Sequence, residues 1–422
     1  MSYFNYRNGS LSVEEISVKY ISKYIDTPFY CYSHTSIEQN YKELSEAISG
    51  LNTSIFYSVK ANSNIAILKL FSELGAGADV VSEGEIRRAI QAGIPAKKII
   101  FSGVGKTKEE ITYALKLKIF QINIESKQEL NLINEIARRL DVTANVAIRI
   151  NPDIAVNTHE KITTGKNENK FGIPWPYARE LFLKADEMRN INISGIAIHI
   201  GSQLLDLSPL DKAYKVAVDA ACELKELGVN IKTIDLGGGL GVNYQNEIPP
   251  KLTDYKNIIK KNFHGKNFKI ALEPGRFLVA NSGILVTKVI YLKNNDSKNF
   301  VIVDAAMNDL IRPTLYEAYH KVLPVDKKKS TKETLVDIVG PICESGDILA
   351  KNINMPGISN EDLLSIHSTG AYGATMSSNY NSRLLIPEVL VKNSEFSIIR
   401  KRPTYSEMLV HEKFASWQKI SN

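Results

Sequence analysis

Eight short apolar runs recur between Thr53 and Gly275, each parted from the next by a segment of helical period, and no other feature constrains the fold of this chain as much. The runs cover 55–59, 78–81, 98–101, 120–124, 145–150, 193–200, 233–236 and 269–272. Amphipathic stretches lie between them, among others at 64–74, 83–92, 108–116, 127–140, 209–227 and 254–262. Strands that alternate with helices favour a parallel sheet, because a parallel neighbour needs a crossover long enough to hold a helix. About eight such units over roughly 220 residues predict a closed (β/α)8 barrel. An open, doubly wound sheet is the competitor, but its dinucleotide-binding glycine fingerprint is missing.

Beyond Gly275 the period changes. Segments 284–291, 300–304, 335–339, 362–367 and 396–400 read as strands with turn-rich connections, and one short helical period falls around 315–320. A chain of 422 residues is long enough for two cores. The expected division is an α/β barrel over 33–275 and a β-rich domain, barrel-like or sandwich-like, over 276–422. Residues 1–32 contain the run Pro28-Phe29-Tyr30-Cys31-Tyr32, a strand expected to join the second domain.

Composition narrows the function by exclusion. The formal net charge of +6 is modest for this length. Lys327-Lys328-Lys329 reads as a solvated loop, and no basic stripe with interleaved aromatics argues for nucleic acid. The pI near 8.8 tilts only weakly towards anionic small molecules. The three cysteines, Cys31, Cys222 and Cys343, form no C-x-x-C pair, which fits a reducing compartment and no metal framework. No run of ~18 apolar residues occurs, and the N-terminus lacks an apolar core of signal length. A cytoplasmic protein without a membrane partner is expected.

In a (β/α)8 barrel the chemistry gathers at the C-terminal strand ends. Here those ends carry Lys60; Asp79 and Ser82; Ser102; Asn123 and Glu125; Arg149 and Asn151; His199, Gly201 and Ser202; Gly237, Gly238 and Gly239; and Glu273-Pro274-Gly275-Arg276. A lysine at a buried strand end either snorkels to water or is paired or covalently used. In a dry pocket its pKa is expected to fall, giving an amine able to form a Schiff base. Three successive glycines after the seventh strand let N–H groups converge on an oxyanion, although a plain turn uses glycine too. His199 reads as a core histidine or as a ring stacked on a planar ligand. Glu273 ends the apolar run Ile270-Ala271-Leu272 and needs a cation or a proton. Amine, oxyanion cradle and carboxylate together suggest pyridoxal 5'-phosphate (PLP), an electron sink for a carbanion at Cα. The stretch 165–172 superficially follows a P-loop but lacks its Gly-Lys-Ser/Thr ending.

Tyr57-Ser58-Val59-Lys60-Ala61-Asn62, His199-Ile200-Gly201-Ser202-Gln203, Gly237 to Gly239 and Glu273 to Arg276 resemble the motifs of the fold-type III PLP-dependent decarboxylases. Adding Asn308 to Pro313, Gly340 to Asp347 and Gly370 to Gly373, the chain is similar, in order and nearly throughout, to the diaminopimelate decarboxylases of that family. The resemblance implies a (β/α)8 barrel plus a β domain. It implies conversion of meso-2,6-diaminopimelate to L-lysine and CO2, the last step of lysine synthesis. Lys60 would carry PLP, His199 would stack on its ring and Glu273 would meet its pyridine nitrogen. Ser202, Gly237, Gly238, Gly239, Gly275 and Tyr372 would hold its phosphate, and Asp79 and Arg276 complete the cofactor set. Arg276, Arg312, Tyr316, Glu344 and Tyr372 would bind substrate, and Cys343 would return a proton to Cα. A homodimer with shared active sites is implied, Cys343 and Glu344 reaching into the partner's site.

Ser58 and Ile200 are mild variants at motif positions. The stretch 157–170, rich in Thr and Asn, reads as a flap without assigned chemistry. The competing functions on this scaffold are a decarboxylase of ornithine, lysine or arginine, whose substrates lack a distal carboxylate, and a carboxynorspermidine decarboxylase. A non-catalytic PLP-binding homologue and an alanine racemase are the readings from other classes.

Overall fold

Eight parallel strands close into a ring: β1 (Thr53–Ser58), β2 (Gly77–Val80), β3 (Ile99–Phe101), β4 (Gln121–Ile124), β5 (Ala144–Asn151), β6 (Ile191–Ala197), β7 (Thr233–Asp235) and β8 (Lys269–Leu272). Closure comes from β8 pairing with β1, with Ile270 opposite Thr53 and Leu272 opposite Ile55. These coordinates are a computed structural model that describes residues 3–154, 170–296, 298–327 and 333–418. The stretch 157–169 and Lys328-Lys329 of the lysine run lie outside the described residues.

The strands are apolar because the ring buries them on both faces, inward against other strands and outward against helices. Inside, Phe56, Ile100 and Ala271 pack with Phe120, whose ring stacks on Phe56 at 5.5 Å. Local chemistry starts the helices where the period placed them. Asn64, Ser82, Thr107 and Ser126 each accept a backbone N–H of the first turn, which opens helices at Ile65–Glu73, Glu83–Gln91, Lys108–Leu117 and Lys127–Arg139. Such a cap is worth about 1 kcal/mol.

The periodicity reading misses two helices. Trp175–Asp186 is preceded by Pro174 and holds Pro176, a turn-like signature that is nonetheless compatible with a first helical turn. His34–Ala47 buries only Ser36, Ile37, Tyr41 and Leu44, too narrow a stripe to stand out. The strand ends also differ from the apolar runs. β6 stops at Ala197, and β1 stops at Ser58, so Lys60 sits in a 3-10 turn, Val59–Ala61, instead of in the strand.

Contacts divide the chain into two compact units, one holding residues 33–283 and 368–375, the other 4–32, 284–367 and 376–422. The second unit is built on a sheet running, in spatial order, through Ile348–Pro356, Glu333–Val339, Asn299–Val303, Gly283–Asn294, Phe29–Ser33, Glu388–Lys392 and Glu395–Arg400. Its core joins Leu11, Val13, Ile21, Phe29 and Cys31 to Ile284, Val286, Val325, Val389 and Val391. Ile348–Pro356 escapes the pattern reading because Lys351, Asn352 and Asn354 interrupt its apolar residues. The helix expected at 315–320 instead spans Arg312–Tyr316 and stops at Glu317, whose φ of 52° is left-handed. Among the described residues no helix is long and apolar enough to cross a membrane.

Candidate active site

Lys60 leaves the end of β1 with its Nζ 3.8 Å from Asp79 Oδ2, and Asp79 also accepts the Ser58 hydroxyl at 2.6 Å. By area the lysine side chain is 40 % accessible, and Asp79, Tyr372, Glu273 and Arg149 all act on its charge. Burial works against its charge, but the pull of Asp79, Tyr372 and Glu273 outweighs burial and raises its pKa above the ordinary lysine value. This corrects the expectation of a depressed pKa. The two acids come from the strands that pair with β1 on either side, and Asp79, the nearer, holds the cofactor-free lysine as an ammonium ion.

Glu273, just past β8, is buried, and its Oε1 finds no hydrogen-bond partner. Burial first, then the neighbouring Asp235 and Asp79, push its pKa well above the carboxylate range. Asp235, at the end of β7, is hydrogen-bonded to Glu273 and lifted by burial to about 6. It accepts the Gly237 amide at 3.0 Å and the Asn123 side-chain amide at 2.9 Å. A buried acid that has one oxygen without a partner and a proton to share, beside a lysine, suits a pyridine nitrogen, so these residues fit PLP.

His199 follows β6. Its Nδ1 accepts the Gly238 amide at 3.4 Å, and its pKa lies well below the usual value through burial, then the nearby charges of Lys60 and Arg149, so the ring is neutral. Arg149 donates to the His199 carbonyl at 3.2 Å and pairs with Glu125 at 2.9 Å, which anchors this corner. The three glycines are required by backbone crowding: a Cβ on Gly238 would stand 2.3 Å from the Glu273 carbonyl oxygen, and one on Gly237 2.6 Å from that of Ile198. The amides of Gly237 and Gly238 are directed at Asp235 and His199. Gly275 packs where a Cβ would lie 3.0 Å from that of Ser58.

Arg276 is buried and shares its donors between the Ser202 hydroxyl, at 3.2 and 3.3 Å, and the Tyr244 hydroxyl, at 2.6 Å. Its guanidinium lies 4.8 Å from the centre of the Tyr372 ring. Tyr372 has a φ of 56° and donates its amide to the Ala61 carbonyl, next to Lys60. A non-glycine residue in this region marks a strained, over-determined position of the kind found at functional sites. The structure therefore brings together Lys60, Asp79, His199, Ser202, Gly237 to Gly239, Glu273, Gly275, Arg276 and Tyr372.

Arg312, Tyr316, Cys343 and Glu344 belong to the second unit. There the Thr314 hydroxyl donates to the Gly346 carbonyl at 2.7 Å, tying the helix of Arg312 and Tyr316 to the loop of Cys343 and Glu344. Cys343 and Glu344 are exposed, the latter accepting the Tyr380 hydroxyl at 2.8 Å. Sequence reasoning passed over Asp235 and Tyr244. Asp235 carried the same signal as Glu273, an acid closing an apolar strand, whereas nothing near Tyr244 pointed to Arg276.

Comparison with known proteins agrees with this geometry. The family model described as pyridoxal-dependent decarboxylase, pyridoxal binding domain, matches residues 34–280. The chain is 45 % identical to diaminopimelate decarboxylase of Zymomonas mobilis over 98 % of its own length and 99 % of that protein. The crystal structure of the Helicobacter pylori diaminopimelate decarboxylase, complexed with L-lysine, matches with a TM-score of 0.90 at 42 % identity, covering 93 % of this chain and 98 % of that one. The M. jannaschii diaminopimelate decarboxylase matches with a TM-score of 0.93 at 36 % identity over 98 % of each chain. Barrel, site and full-length likeness agree: the chain belongs to the PLP-dependent decarboxylases and, within them, to the diaminopimelate decarboxylase family.

Proposed function

We propose that this protein removes CO2 from meso-2,6-diaminopimelate to yield L-lysine, with PLP as cofactor and a homodimer as the working form. The observation that carries the chemistry is the buried Glu273 carboxyl, whose Oε1 has no hydrogen-bond partner, beside Lys60. PLP, when bound, supplies an electron sink for the charge left at Cα as the carboxylate departs. The chain's own residues do the rest. Lys60 holds the cofactor covalently through its amine. Glu273 would keep a proton at the ring nitrogen, and the neutral His199 ring would offer a flat face without adding charge. Arg276, Ser202 and Tyr372, which contact one another, would hold the phosphate together with the glycine loop, and Asp79 holds Lys60 in place. Arg312 and Tyr316 bind the distal carboxylate, with Arg276 and Tyr372 at the same substrate, Glu344 meets the distal ammonium, and Cys343 delivers a proton to Cα. All three cysteines are free, which supports a reducing, cytoplasmic setting.

CO2 release from meso-diaminopimelate, ornithine, lysine and arginine tests the reading. We expect strong release from diaminopimelate alone, with L-lysine formed in equal amount. Release from a diamino monoacid would move the enzyme to polyamine synthesis, and silence on all four with PLP bound would make it a carrier.

The exposed Cys343 and Glu344 support a site completed by a second copy. Mixing inactive Lys60→Ala and Cys343→Ala proteins tests this directly. With random exchange, half of the dimers are mixed and each carries one intact site, so activity should recover to about a quarter of wild type. Activity that stays at the level of the separate variants would place both residues in one subunit's site.

A further inference from the structure

The helix carrying Arg312 ends at Tyr316, and the left-handed Glu317 turns the chain back so that His320 lies against it. His320 is 2 % exposed. Its Nε2 is 2.9 Å from Arg312 Nη1 and its Nδ1 is 2.9 Å from the His367 carbonyl oxygen. A guanidinium can only donate and a carbonyl can only accept, so both ring nitrogens have their roles assigned: Nδ1 carries the hydrogen and Nε2 offers its lone pair to Arg312. The imidazole in this contact is neutral.

The far end of the link is rigid. His367 closes the strand Leu363–His367, pairs with Ile284 across the sheet, and donates its amide to the Lys321 carbonyl at 2.8 Å. A carbonyl fixed by the sheet thus holds an imidazole, which holds a guanidinium. A carboxylate in this place would also orient arginine but would set a negative charge against it; the imidazole contact orients the guanidinium without adding one.

We propose that His320 is a positioning residue that aims Arg312 at the distal carboxylate of the substrate, and so selects a diamino diacid over ligands lacking that group. The proposal rests on the reading of Arg312 given above. L-lysine, the product, keeps the distal carboxylate, whereas 1,5-diaminopentane has the same two amines and no carboxylate. Inhibition by this pair isolates the contact.

The PLP-loaded enzyme should be compared as wild type, His320→Ala, His320→Asn, His320→Gln and Arg312→Ala. In His320→Ala, KM for meso-diaminopimelate and Ki for L-lysine should rise together by about tenfold, with kcat within about twofold, because the lost contact acts on ground state and transition state alike. Ki for 1,5-diaminopentane should not move. Asparagine can keep the bond to the His367 carbonyl but not reach Arg312, so it should behave as alanine does. Glutamine, whose Oε1 stands near the position of Nε2, should restore most of the affinity for lysine. That contrast survives even if the alanine variant fails to fold. If Arg312→Ala weakens both inhibitors equally, the reading of Arg312 fails. If Arg312→Ala selects against lysine while the His320 variants weaken both inhibitors alike, or neither, the positioning role is overturned.

Discussion

Lys60→Ala is expected to abolish turnover, by on the order of 10⁴-fold or more, the scale of deleting a covalent nucleophile. Asp79 at 3.8 Å, Tyr372 and Glu273 favour a positive charge on the side chain, and Arg149 opposes it. Alanine removes the bond to the cofactor and also leaves Asp79 and Glu273 with no cation between them. Borohydride reduction followed by intact-protein mass should show one added cofactor on wild type and none on the variant. A trapped adduct on Lys60→Ala would put the covalent link on another residue. An amine held in its charged form adds a pH signature to the wild type. Only the uncharged amine can attack, and its fraction at neutral pH is small. Covalent loading of the cofactor-free protein should therefore quicken by about tenfold per pH unit on the acid side of the amine's pKa. Loading that is flat between pH 6 and 8 would mean that the carboxylates do not hold Lys60 charged.

The barrel was legible because each of its strands is buried on both faces and reads as a short apolar run, while Ser82, Thr107 and Ser126 mark where the helices open. Polar residues that end such runs, Lys60, His199 and Glu273, stood out for the same reason. What the sequence could not convey depends on which distant residues meet. The direction of the Lys60 shift is decided by Asp79 on β2 and Glu273 beyond β8, and no local pattern says that they face one lysine. Asp235 and Glu273 look like two separate strand-end acids until the pairing of β7 with β8 places them side by side. Proline misled the reading twice: Pro176 hid a helix that tolerates it in the first turn, and Pro313 lies at the start of the helix placed three residues too late. His320 was absorbed into that misplaced helix, which concealed its contact with Arg312.

Glu273→Gln should lower kcat by about a hundred- to a thousandfold, the usual cost of removing one preorganised electrostatic partner, while Lys60 still carries the cofactor. The amide keeps the shape of the carboxyl but cannot hold a proton at the ring nitrogen. The same substitution should stabilise the cofactor-free protein at neutral pH. Burial and two acidic neighbours raise the Glu273 pKa, and Asp235 is lifted to about 6. Between the ordinary carboxylate pKa and these raised values the folded chain binds more protons than the unfolded one, so stability falls as pH rises through that window. Glutamine removes one of the two coupled acids. The acid it removes is the one raised by burial and by Asp235, while the amide can still donate to Asp235, so the decline with pH should flatten. Melting temperature measured from pH 4 to 8 without cofactor reads this out, with wild type and variant converging at the acid end, where the carboxyls are protonated in both states. A variant that melts below wild type at neutral pH with an unchanged pH slope would make Glu273 an ordinary packing residue. The opposite signs expected for stability and activity are what a strained acid kept for its chemistry should show.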